Sequence, residues 1–185
     1  LWNGHRSGYY AKELLMEYLR QEGVEQQGAN TLFYHLDEVL RVHGIVPNPD
    51  LTDEEYPRAS IILYNDLYKE IWSYGDCQCN INGETHNHAK KIDELNAALR
   101  AYYLEYNMQK GMTLQELAQN DLGRAAIREN LLMQFSFENK PGAYGYPVLN
   151  GMGIEETMIS RYKVKEGDVI ILASDGYPRL GGDLN

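Results

Sequence analysis

Apolar residues recur at helical spacing in two stretches near the start of the chain. Within residues 10–21, Leu14, Leu15, Tyr18 and Leu19 share one face, with Gly23 as the predicted stop. Within residues 31–42, Leu32, Leu36, Val39 and Leu40 do the same, and Gly44 follows. Pro47, Pro49 and Pro57 then mark a connecting loop. The period changes after them. Residues 59–64 and 68–74 are short β-rich runs separated by Asn65-Asp66, and read as a hairpin. A second hairpin is predicted at Asn82-Gly83, a dipeptide favoured in two-residue turns, so that Gln78–Ile81 pairs with Glu84–Asn87.

From Lys90 to Gln109 the helical period returns, with Ile92, Leu95, Leu99, Tyr102 and Tyr106 spaced as one stripe that should be buried. Thr113-Leu114-Gln115-Glu116 has the form of a capping box opening another helix. Residues 121–133 continue as helix, and 134–137 and 144–149 as short strands. The last pattern is the apolar run Val169-Ile170-Ile171-Leu172-Ala173, which ends abruptly in Ser174-Asp175-Gly176. It predicts a strand buried on both faces. A carboxylate at the end of such a strand needs a cation, donors or water at the lip of the sheet, so Asp175 is either a ligand-binding group or the start of an Asx-type turn. Strands and helices that do not strictly alternate argue for an α+β fold.

The 185 residues, 43% of them hydrophobic, suffice for one domain with a real core. The net charge of −10 disfavours nucleic acid or an anionic membrane surface as partner and favours cations. Fifteen tyrosines stand against three Phe and two Trp, so much of the aromatic surface carries a wet hydroxyl. Cys77 and Cys79 lie one residue apart on a predicted strand, too far apart for an unstrained bridge, which fits a reducing, cytoplasmic compartment. Neither an apolar run long enough to span a membrane nor a signal-like start is visible.

Three segments, in order, resemble the metal-dependent protein phosphatases of the PPM, or type 2C, family. Ile171-Leu172-Ala173-Ser174-Asp175-Gly176 is similar to that family's hydrophobic strand ending in Ser-Asp-Gly. Asn3-Gly4-His5-Arg6-Ser7-Gly8 resembles its Asp-Gly-His-Gly-Gly loop, and Glu70 to Cys77 its strand ending in Gly-Asp-Ser-Arg. The resemblance implies a sandwich of two antiparallel sheets flanked by helices, with terminal strands lacking at both ends of this sequence. It further implies two Mg²⁺ or Mn²⁺ ions, because a water activated between hard cations attacks a phosphoester that the same cations neutralise. Carried over by motif, Asn3, Gly4, Asp175 and Asp76 become the metal ligands and His5 the general acid, acting on a phosphoprotein or a small phosphoester. Arg6, where the family has Gly, is a weaker candidate for binding phosphate.

Asn3 is the departure. An amide is neutral and its nitrogen cannot bridge a second cation, so metal affinity should fall. A natural pseudophosphatase serving as a binding module, an introduced substitution and a misaligned motif are all compatible with it. A separate constellation follows from spacing alone. Across an Asn82-Gly83 turn, Cys79 faces His86 and Cys77 faces His88, ligand types suited to Zn²⁺, although a Cys-x-Cys and a His-x-His on one ribbon fit a tetrahedron poorly. A zinc-stapled interaction domain is therefore the third and least favoured alternative.

Overall fold

The computed structural model describes residues 6–176. In chain order they form α1 (Ser7–Leu19), α2 (Ala29–Leu40), β1 (Ile61–Asn65), β2 (Glu70–Tyr74), β3 (Gln78–Ile81), β4 (Glu84–Asn87), α3 (Lys91–Gln109), α4 (Leu114–Gln119), α5 (Leu122–Ala126), α6 (Arg128–Met133), β5 (Ser160–Lys163) and β6 (Ile170–Ala173). The six strands make two antiparallel sheets, ordered β1-β2-β5 and β4-β3-β6. This is the α+β architecture that the changing period predicts.

β2 is the strand buried on both faces. Its alternation sends Trp72 and Tyr74 to a cluster with Leu15 of α1 and Leu32, Phe33 and Leu36 of α2. Ile71, on the opposite face, joins Cys79 of β3 and Val164 between the two sheets, where Ile62, Tyr162, Ile170 and Leu172 pack around them. The order from outside inward is thus helices, the β1-β2-β5 sheet, a shared apolar seam, and the β4-β3-β6 sheet. Asn82, at a φ of 52°, and Gly83, at 91°, turn the β3–β4 hairpin, and Cys79 pairs with His86 as the dipeptide predicts. In the first hairpin the Asn65 side chain accepts the backbone N–H groups of Leu67 and Tyr68, an Asx-type turn that needs four residues rather than two.

Several expectations change. Residues 134–137 form a 3₁₀ turn, and 144–149 contribute isolated bridges at Tyr146 and Leu149 instead of a strand. The 121–133 helix is two short helices, the first capped by Asp121. Gly44 does not end α2; it lies in a π-helical turn, Arg41–Ile45, where a Cβ would meet the Pro57 ring at 2.8 Å. β6 flanks only β3, and Val169 and Ile171 are exposed, so its outer face is wet among the described residues. The α3 stripe is mostly exposed too. Ile92 is buried, but Leu95, Tyr102 and Tyr106 face outward, because α5 packs on the neighbouring side of the helix, where Gly123 meets Arg100 and Leu104.

A buried carboxylate joins the helical layer to the loop that follows residue 149. Asp37 of α2 accepts the backbone N–H groups of Asn150, Gly151 and Gly153 at 2.7–2.9 Å. Burial pushes its carboxyl above the ordinary range even against those three donors. Asn139 completes the knot: its side chain accepts Val148 N–H and Tyr74 O–H and donates to the Val148 and Gly153 carbonyls. Elsewhere, Asn96 of α3 is buried with neither amide atom partnered among the described residues. Asp37→Ala is expected to lower unfolding stability by about 3 kcal/mol in urea titration, since three loop N–H groups lose their acceptor. Asn96→Leu is expected to raise it by about 1 kcal/mol in the same assay, by removing two unsatisfied polar atoms at nearly constant volume.

Candidate functional site

The step from one sheet to the other builds a cleft. After β2, residues Gly75, Asp76 and Cys77 carry the chain across to β3. Antiparallel pairing then sets Ala173 of β6 opposite Gln78, so Ser174-Asp175 emerges beside Asp76-Cys77. The Gln78 side-chain amide donates to the Ser174 carbonyl at 3.3 Å and fastens this junction. The cleft has a volume of about 340 Å³, and Asp76, Asp175, Lys90, Arg58, Glu138 and Ser60 supply most of its polar lining. Two carboxylates brought forward by separate sequence motifs therefore share one cavity.

Their environments differ. Asp76 is buried; it pairs with Lys90 at 2.6 Å and accepts the Ser60 hydroxyl at 2.5 Å. Burial alone would raise its carboxyl, but Lys90 and Ser60 together hold it below the ordinary range. Gly75 makes that geometry attainable. It has a φ of 121°, and a Cβ there would lie 2.3 Å from Ser60 Oγ, so a side chain would push away the residue just before β1 that carries the hydroxyl. Asp175 is exposed, and no ion pair or hydrogen bond among the described residues engages its carboxylate. Lys90, just before α3, also lies over the Tyr146 ring at 4.9 Å. Arg58 is held by Glu138 through two hydrogen bonds of 2.5 and 3.2 Å and lies 4.0 Å from the Phe135 centroid. Tyr146 O–H and the Asn150 amide also donate to Glu138.

The lining carries Asp76, Glu138 and Asp175 against Lys90 and Arg58, both of which are already paired. An anion gains little by entering such a cleft alone, and a cation gains more. The oxygen donors suit a hard divalent cation in kind but fall short in number. Among the described residues, no three His, Cys, Asp or Glu side chains converge as a metal site. Asn3, Gly4 and His5 lie outside the described residues. Arg6 is exposed at the start of α1, where its carbonyl accepts Tyr10 N–H, and it does not line the cleft.

The hairpin thiols and imidazoles serve other ends. His88 engages both ring nitrogens, Nδ1 with the Cys77 carbonyl and Nε2 with the Tyr162 hydroxyl, each at 2.6 Å, and His86 stacks on Tyr162 with centroids 4.3 Å apart. These contacts clasp one sheet to the other. Cys77 and Cys79 are free and buried, and burial, with Asp76 and Asp175 adding, pushes the Cys77 thiol up to about 12.

Lys90, Ser60, Arg58 and Glu138 escape motif reasoning, since each belongs to the cleft only through tertiary contact. The faint signal for Lys90 is a lysine at the boundary before a helix that follows a hairpin. No family model, no curated protein and no solved structure matches this chain.

Lys90→Met is expected to leave a buried, unpaired Asp76 and to lower stability at pH 7 by about 3 kcal/mol. Because the folded Asp76 pKa is depressed, the pair stabilises fully above the ordinary carboxylate value and fades as pH falls through the folded one. The difference between wild type and variant should therefore shrink below about pH 4 in denaturant titrations. A difference that stays constant with pH would argue that Asp76 is not the partner that matters.

Proposed function

We propose that this chain is a PPM-type phosphoester hydrolase domain acting on phosphoserine or phosphothreonine with Mg²⁺ or Mn²⁺. The observation that carries the reading is the shared cleft of Asp76 and Asp175, each at the end of the strand that its motif predicts. Two antiparallel sheets joined by an apolar seam, with α1 and α2 outside the first of them, support part of the sandwich implied by that family. The excess of carboxylates at the cleft supports a need for divalent cations before a phosphate dianion can bind.

On this reading Asp175 and Asp76 are the cleft carboxylates that would hold the metal. Bound there, it would supply an activated water and neutralise the phosphoryl oxygens. Lys90 orients the Asp76 carboxylate, and Ser60 fixes one of its oxygens. His5 is assigned the protonation of the leaving alcohol, and Asn3 and Gly4 the remaining metal-binding positions, on the motif alone. Two free, buried thiols support assignment to a reducing, cytoplasmic compartment, and no helix among the described residues is long and apolar enough to cross a membrane.

Two observations favour a second reading, a catalytically silent module that binds a partner through the cleft. Asp76 is already satisfied by Lys90 and Ser60, and the neutral Asn3 stands where an acidic ligand is wanted. Hydrolysis of p-nitrophenyl phosphate separates the two. The expected result is turnover that depends on Mn²⁺, vanishes in Asp175→Ala and rises in Asn3→Asp. Folded protein that stays inactive at millimolar Mn²⁺, with and without Asn3→Asp, would leave the binding module as the better account.

A further inference from the structure

α3 carries an apolar stripe that the described residues leave open. Leu95 is 52% exposed, Tyr102 63% and Tyr106 49%, and Leu99 between them is half-buried. α5 covers the neighbouring side of the helix, against Arg100 and Leu104. Tyr103, whose ring meets that of Tyr102 edge-on at 5.6 Å, is exposed as well. The surface continues past the start of the helix, where the Lys91 ammonium lies over the Tyr144 ring at 5.4 Å and Phe137 packs beside Tyr144.

The spacing selects the occupant. Steps of four, three and four residues, from Leu95 through Leu99 and Tyr102 to Tyr106, give the narrow seam along which two helices pack on each other, whereas a helix docked on a domain shows a broader apolar face. Turned antiparallel onto itself, this seam is self-complementary. Leu95 falls opposite Tyr106 of the second copy and Leu99 opposite its Tyr102, so every layer sets a leucine against a ring. On the flanks Glu105 falls opposite Ala98, while Lys91 and Lys110 lie beyond the ends of the seam, so no like charges meet within it. In a chain of net charge −10, where most of the surface repels another copy, an uncharged seam is where two copies can meet. The area suffices. At about 200 Å² for a whole side chain of this size, the exposed parts of Leu95, Tyr102, Tyr103, Tyr106, Tyr144 and Phe137 amount to roughly 550 Å². Two copies together remove about 1,100 Å² from water, just above the threshold of about 1,000 Å² for a specific interface.

We propose that this chain forms a homodimer through α3, paired antiparallel with α3 of a second copy about a two-fold axis midway between Leu99 and Tyr102. The proposal is independent of the chemistry assigned to the cleft. An interface at the small end of the range gives a dissociation constant in the micromolar range, because area near the threshold leaves little surplus over the cost of association. The pairing also fixes where the two clefts sit. Lys90, which holds Asp76, directly precedes α3, and at about 1.5 Å of rise per residue the two Lys90 residues stand roughly 30 Å apart, at opposite ends of the helix pair. Each cleft therefore stays open in the dimer.

The test is sedimentation velocity of the full chain over about 1–100 µM, with circular dichroism to confirm that each variant is folded. Wild type is expected to pass from monomer to dimer within that range. Tyr102→Glu, at a position already exposed in the single copy, is expected to stay monomeric throughout with an unchanged spectrum. Tyr34→Glu, equally exposed but on α2, is expected to dimerise like wild type. The register has its own arm. Leu95→Lys and Tyr106→Glu each weaken the dimer, and an equimolar mixture of the two dimerises better than either alone, since one end then pairs lysine with glutamate and the other keeps its leucine and tyrosine. Wild type that remains monomeric at every concentration leaves the stripe to a different helix and overturns the proposal, as does a dimer that survives Tyr102→Glu. A mixture no better than its components overturns the antiparallel pairing.

Discussion

One strand has to satisfy two cores at once. β2 turns Trp72 and Tyr74 toward the helices and Ile71 toward the second sheet, and all three are essentially inaccessible to water. No residue of that strand can move to suit one side without disturbing the other, because interiors at crystal-like density transmit displacement instead of absorbing it. The end of β2 is therefore among the best-defined points of the molecule. Gly75 and Asp76 follow directly from it, so the carboxylate of the cleft inherits its position from the packing behind it. Tyr74 extends the same constraint sideways, since its hydroxyl ties both Asn139 and the Glu155 backbone to the strand.

The polar interior is organised by pairing. Asp37 meets three backbone donors, Glu138 meets Arg58, Tyr146 and Asn150, and Asp76 meets Lys90 and Ser60. Buried charges persist only when they are compensated in this way. Against that background Asp175 stands out, since it is exposed at the rim of the cleft and no ion pair or hydrogen bond among the described residues engages its carboxylate.

Local rules were legible in the sequence; the choice of face was not. The Asn82-Gly83 turn, the Thr113–Glu116 capping box and the β1–β2 pairing follow from short-range chemistry, and the structure contains each of them. The spacing of Leu95, Leu99, Tyr102 and Tyr106 is equally regular, yet periodicity records only that a helix has an apolar side. Which side is covered depends on what arrives later in the chain, and α5 takes the neighbouring one. β6 shows the same gap, since an apolar run cannot announce that its strand has a single neighbour among the described residues. In the cleft, Asp76 and Asp175 were visible because each ends an apolar strand. Lys90, Glu138 and the Arg58–Ser60 stretch are three separate segments, and only the folded chain assembles them.

The turn at Asn82 reaches further than its own hairpin. Its backbone N–H donates to the Val169 carbonyl, its side-chain oxygen accepts Val169 N–H, and its amide donates to Asp168, which itself receives Lys165 N–H. β6 needs such an anchor. With Val169 and Ile171 both exposed, alternation gives little energetic penalty for a shifted alignment, and a slip of one residue turns every side chain of a strand to the opposite face. A slipped β6 would present Ser174 where Asp175 now stands, exchanging a charge for a hydroxyl at the rim of the cleft. The acidity of that rim is thus indexed by an asparagine at the far end of the sheet.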